Sequence, residues 1–115
     1  MGKIFLVQMA GYPGSGKSTL SKKIANRTGA IVIDRDIIKS TMINSKIPND
    51  IAADVSYNVV FDLAEFYLGM GKSVIIDTPC YYETGLNNGI GIAKKYGVDY
   101  KYIECRVEDY LKKGI

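Results

Sequence analysis

The sequence predicts an α/β domain: a parallel sheet with helices covering both of its faces. Three observations carry this. Short apolar runs alternate with amphipathic stretches along the whole chain. The strand candidates are near-continuous runs of Val, Ile and Leu, as strands buried on both faces require. Glycine-rich punctuation separates the segments. The 115 residues and 12.7 kDa leave room for one domain, read as spanning 1–115. A hydrophobic content of 47% with 23% charged residues excludes a disordered or collagen-like chain.

The elements follow in order. Lys3 to Ala10 holds Ile4, Phe5, Leu6, Val7 and Met9 and reads as a buried strand. Gly11 to Gly16 is a loop. Lys17 to Arg27 is a helix with Leu20 and Ile24 one turn apart, stopped by Gly29. Ala30 to Asp34 is a second strand, Asp36 to Ile43 a helix, and Pro48 sits in the break that follows. Asp50 to Met70 is a long helix whose Ile51, Val55, Val59, Leu63, Phe66 and Met70 predict the buried face. Ser73 to Asp77 is a third strand. Glu83 to Tyr96 is a helix with Leu86, Ile90 and Ala93 on one face. Its Gly85, Gly89 and Gly91 weaken it by roughly 1 kcal/mol each against Ala. Asp99 to Cys105 is a fourth strand, and Val107 to Lys113 starts another helix.

Composition narrows the chemistry. Fifteen basic residues against twelve acidic ones give a net charge of +3 and a pI near 8.8. That suits a phosphorylated ligand but falls short of a dedicated nucleic-acid binder. There is no histidine and there are only two cysteines, Cys80 and Cys105. His-bearing zinc sites and Ser-His or Cys-His triads drawn from this chain are therefore excluded. The cysteine usage fits a reducing, cytoplasmic compartment. No apolar run reaches the ~20 residues of a membrane span, and the N-terminus carries no secretory signal pattern.

The chemistry concentrates in Gly11-Tyr12-Pro13-Gly14-Ser15-Gly16-Lys17-Ser18, which fits G-x-x-x-x-G-K-[ST] between a strand and a helix. Glycines let backbone N–H groups close around phosphate oxygens, and the helix start adds its partial positive charge. Lys17 reaches the β- and γ-phosphates, Ser18 supplies a hydroxyl to Mg²⁺, and Thr19 adds an α-phosphate contact. Carboxylates follow at strand ends, where ligands of open parallel sheets lie. Asp77 closes the third strand in the manner of a Mg²⁺-holding acid. Asp36 is placed to take a proton from an acceptor hydroxyl, or to cap the helix after it. Asp34 is the weaker third candidate. No guanine-reading motif is present, which favours ATP over GTP.

These residues, together with Ile33-Asp34-Arg35-Asp36, Lys39 and Asp77-Thr78, resemble the small P-loop kinases. The pattern is similar to polynucleotide 5′-hydroxyl kinase domains, chloramphenicol phosphotransferases and zeta-toxin-like kinases, from Lys3 to about Lys113. The resemblance implies a P-loop NTPase sheet ordered 2-3-1-4-5, of which this chain would hold 2-3-1-4. It implies transfer of the γ-phosphate of ATP·Mg to a hydroxyl, either a polynucleotide 5′-OH or a small molecule. In that scheme Lys17, Asp36 and Lys39 are catalytic, with Lys39 standing where an arginine is usual. The resemblance also implies an arginine-bearing lid from near Glu108, whereas the only arginines here are Arg27, Arg35 and Arg106. The domain therefore reads as C-terminally incomplete. The alternative is a nucleotide-binding module or truncated fragment with little or no phosphotransferase activity, completed by a homodimer through the fourth-strand edge. In the implied order Cys80 and Cys105 lie about two strand spacings, ~10 Å, apart. That exceeds the ~7 Å limit for a disulfide and predicts free thiols.

Overall fold

A computed structural model describes residues 3–11, 16–78 and 83–105. The elements run β1 (Phe5–Gly11), α1 (Lys17–Thr28), β2 (Ile31–Asp34), α2 (Arg35–Asn44), α3 (Asn49–Gly69), β3 (Val74–Thr78), α4 (Glu83–Tyr96) and β4 (Asp99–Cys105). The expected loop residues Tyr12 to Ser15, the Cys80 thiol with Tyr81 and Tyr82, and the helix from Val107 lie outside the described residues. Cys105 is a free thiol.

The four strands form one parallel sheet in the order β2-β3-β1-β4. Alternation along the strands sorts side chains to two faces. Leu6, Ile33, Val74 and Ile76 pack with Val60, Phe61, Ala64 and Leu68 of α3 and with Ile92 and Ala93 of α4. On the opposite face Val7, Met9 and Ile75 pack with Ala30 and with Leu20 and Ile24 of α1. The expected two-faced cover is therefore present, α1 on one side and α3 with α4 on the other. Gly29, at φ 76°, ends α1 in the left-handed conformation that suits glycine, its N–H donating to the Ala25 carbonyl.

Two expectations about helix faces are corrected. The buried face of α3 is Ala52, Ser56, Val60, Ala64 and Leu68, with Phe61 beside it. Four of the large residues expected there point outward: Ile51 (50% exposed), Val55 (38%), Phe66 (60%) and Met70 (58%). Small residues let the helix axis approach the sheet, so they win the interior over larger ones. In α4, Ile90 is exposed while Gly85 and Gly89 are buried. A Cβ on Gly89 would overlap the Gln8 amide. Gly89, one of the glycines that weaken α4 as an isolated helix, is what lets it sit on β1.

Candidate functional site

The site forms at the carboxyl ends of β1, β2 and β3. Gly11 ends β1, buried, and Gly16 stands at φ 87° as the residue before α1. No side chain caps α1, and its first turn holds no acidic residue. The leading N–H groups, those of Lys17, Ser18 and Thr19, therefore have no side-chain cap among the described residues. Their partial positive charge is not neutralised from within the helix. Ser18 and Thr19 are exposed there.

Lys17 is 8% exposed, an unusual position for a lysine. Its Nζ lies 2.5 Å from Asp77 Oδ1 and donates to the Thr78 carbonyl at 3.1 Å. The Thr78 hydroxyl in turn donates to the Met9 carbonyl at 2.9 Å, tying β3 to β1. Asp77 is 2% exposed, and apart from this ion pair its Oδ1 has no hydrogen-bond partner among the described residues. Burial pushes the Asp77 carboxyl above its ordinary range. Lys17 pulls it back down, and the charges of Asp34 and Asp36 add to the rise.

Parallel register explains why the carboxylates meet. Asp34 is the in-register partner of Asp77, and Met9 flanks Asp77 on its other side. Asp34 and Asp77 thus share one row of the α1 face. Asp34 also caps α2: its Oδ1 accepts from the N–H groups of Asp36 at 2.9 Å and Ile37 at 3.3 Å. The capping role open to Asp36 belongs to Asp34 instead. Asp36 stays in the first turn of α2 with its carboxylate exposed. Lys39, half-buried, follows three residues later on the same side of the helix.

Arg35 is the residue whose part the sequence did not disclose. It is 6% exposed. Its Nε donates to Ser56 Oγ at 2.9 Å and its Nη2 to the Ala53 carbonyl at 3.0 Å, and its guanidinium lies 4.2 Å from the centre of the Tyr57 ring. A buried cation thus pins the first turn of α2, and with it the backbone of Asp36, to α3. Ser56, a polar residue inside the small-residue stripe of α3, is the sequence signal for such a contact. Across the sheet Gln8 plays a similar part. Its amide donates to the Gly85 carbonyl at 3.1 Å and accepts from the Tyr100 hydroxyl at 2.5 Å.

Among the described residues no three His, Cys, Asp or Glu side chains converge into a metal cage. One carboxylate, Asp77, and one exposed hydroxyl, Ser18, stand near Lys17. That donor set fits Mg²⁺, a hard cation usually held by one or two protein oxygens with substrate phosphates and water completing its shell.

Comparison with known proteins bears on the fold. The profile of the family described as AAA domain matches residues 6–113. A Chloroflexus aurantiacus protein assigned as a kinase superposes with a TM-score of 0.78 at 16% identity, over 99% of this chain and 70% of its own. The Mycobacterium tuberculosis APS kinase CysC superposes with a TM-score of 0.72 at 16% identity, over 93% and 78%. That kinase has also been solved in complex with AMPPNP and APS. The Pnkp1/Rnl/Hen1 complex contains a matching chain with a TM-score of 0.67 at 19% identity, over 98% of this chain and 39% of that one. The chain therefore belongs to the AAA domain family, and its fold is that of the small P-loop kinases.

Proposed function

We propose that the chain binds ATP with Mg²⁺ at the start of α1 and transfers the γ-phosphoryl group to a hydroxyl acceptor. The observation that carries this reading is the buried Lys17–Asp77 pair at the start of α1, a helix whose N-cap residue is a glycine, with Asp36 pinned nearby by Arg35. Gly11, Tyr12, Pro13, Gly14, Ser15 and Gly16 would wrap the phosphates with Lys17, Ser18 and Thr19. Ser18 and Asp77 would hold Mg²⁺, which when bound neutralises phosphate charge. Lys17 would leave the Thr78 carbonyl to meet the β- and γ-phosphates. Asp36 would accept the acceptor's hydroxyl proton as that oxygen bonds to the γ-phosphorus and the bond to ADP breaks. Lys39 would face the transferred group. The acceptor is a polynucleotide 5′-OH or a small alcohol, and the compartment is the cytoplasm. Among the described residues no helix is long and apolar enough to cross a membrane.

The test is calorimetric titration with ATP and Mg²⁺. Lys17→Ala weakens binding about tenfold or more, the equivalent of about 1.4 kcal/mol. Asp36→Asn binds normally but loses transfer. Asp36→Asn transferring at the parent rate would refute the assigned base. A second reading is a nucleotide-binding module with little transfer, self-associating through β4. It is favoured by β4 standing at the sheet edge, its outer backbone groups unpaired by another described strand. A concentration-dependent dimer in sedimentation supports that reading, and a strict monomer refutes it.

A further inference from the structure

Asp77 and Lys17 are both nearly out of water, and each is the other's counter-charge. A buried charge stripped of its partner is far more costly than the intact pair is favourable. Asp77 Oδ1 accepts no hydrogen bond from a described residue, and among those residues only Lys17 balances its charge. Its in-register neighbour on β2 is Asp34, and the charges of Asp34 and Asp36 act on it with its own sign. Lys17 is held from a second side by the Thr78 carbonyl, and the Thr78 hydroxyl ties that residue to the Met9 carbonyl. The lysine is thus bound to the end of β3, while Ser18 and Thr19, the next residues of α1, are exposed.

The pair can open in two ways that differ in cost. If Lys17 leaves for a phosphate oxygen, Asp77 stays behind buried, ionised and beside further negative charge. If a divalent cation arrives with the phosphates, Asp77 exchanges one cation for another and is never left alone.

We propose that Asp77 is a specificity-determining residue: by holding Lys17 in the empty protein, it turns away nucleotide that comes without a divalent metal and admits the metal-loaded form. This rests on the reading of Lys17 as a phosphate residue and of Asp77 as a Mg²⁺ residue. It adds a coupling between the two. A bare polyphosphate must draw Lys17 off Asp77, and a lone metal ion must displace Lys17 from it. Each alone meets a position already filled from within the chain. Together they release both members of the pair, so each raises the affinity for the other.

The experiment has two readouts on the whole chain. The first needs no nucleotide. Acetylation of amines at fixed pH, read by mass spectrometry, compares Lys17 with the exposed Lys22 and Lys23 of the same helix. In the parent Lys17 reacts about tenfold more slowly than those two, or slower still. Asp77→Asn speeds Lys17 about threefold or more and leaves Lys22 and Lys23 unchanged. The second readout is calorimetric titration with ATP, once with EDTA and once with Mg²⁺. The parent binds metal-free ATP at least about tenfold more weakly than the Mg²⁺ form. Asp77→Asn tightens metal-free ATP about threefold or more. Losing a negative charge eases phosphate repulsion by itself, so the same substitution is repeated on Lys17→Ala. No lysine is left to release there, and Asp77→Asn gains less than about twofold. Circular dichroism checks that the variants stay folded, and if Lys17→Ala does not fold, the acetylation readout decides. Unchanged Lys17 acetylation in folded Asp77→Asn, or an equal gain in both backgrounds, would overturn the proposal. A folded parent that takes up no ATP even with Mg²⁺ would overturn the phosphate reading, and this inference with it, whatever the acetylation shows.

Discussion

The contact between α4 and β1 sets up an opposed pair of substitutions. Gly89→Ala places a methyl group on the Gln8 amide, and 3.2 Å from the Tyr100 ring. Gln8 is 6% exposed, so its amide can move aside only by giving up its bonds to the Gly85 carbonyl and the Tyr100 hydroxyl. Two lost hydrogen bonds cost about 1 kcal/mol each, more if their partners stay buried. Overpacking adds about 1 kcal/mol or more, and the helix propensity of alanine returns about 1 kcal/mol. The net expectation is a loss of about 2 kcal/mol. Gly91→Ala has nothing within 4 Å of its new methyl group and keeps only the gain of about 1 kcal/mol. Urea unfolding with an unchanged slope measures both variants. Adding Gln8→Ala to Gly89→Ala should recover part of the loss, a coupling that a double-mutant cycle isolates. Gly89→Ala as stable as Gly91→Ala would refute the reasoning.

Other expectations follow from the same contacts. Ser56→Ala leaves the Arg35 Nε without its acceptor and costs about 2 kcal/mol in denaturant unfolding. Arg35→Met removes the charge along with the bonds and costs less. Asp34→Ala removes the α2 cap and lowers stability by about 1 kcal/mol, while Asp34→Asn keeps the acceptor and loses less. Burial raises the Tyr100 phenol to about 12, so phenolate absorbance should show one tyrosine titrating well above the ordinary value of about 10. The proton is held more tightly in the folded state. The stability Tyr100 contributes is therefore complete below pH ~10 and is lost as the pH rises towards the folded value.

Much of this molecule was legible in its sequence, because its elements are short and sharply punctuated. The alternation, the four strands and the strand–loop–helix around Lys17 all follow from local pattern. The face of α3 did not. Periodicity ranks residues by size and hydropathy, and α3 carries two stripes. The bulkier one, Ile51 to Met70, resembles a core. Close approach to the sheet selects the other, Ala52, Ser56 and Ala64. Asp36 and Asp34 exchanged one role for the same kind of reason: either can cap on residue type, and only the turn out of β2 shows that Asp34 does. Arg35 sits inside a legible motif, yet its contacts with Ser56 and Tyr57 span about twenty positions, beyond the reach of any local signal.

The central position of β1 has a consequence for how the chain comes to be folded. β1 is made before the other described strands, yet its neighbours on either side are β3 and β4, with Leu6 in register with Val74 on one side and Tyr100 on the other. A ribosome adding about 5–20 residues each second leaves β1 without a partner strand for several seconds. During that wait Leu6, Val7 and Met9, all buried in the finished fold, are exposed to any other nascent chain. The helical hairpin of α2 and α3 is complete earlier and rests on local contacts. The described sheet must close from β1 to β4, so its closure should set the pace of folding, and the yield of soluble protein should depend on keeping β1 shielded until β3 and β4 arrive.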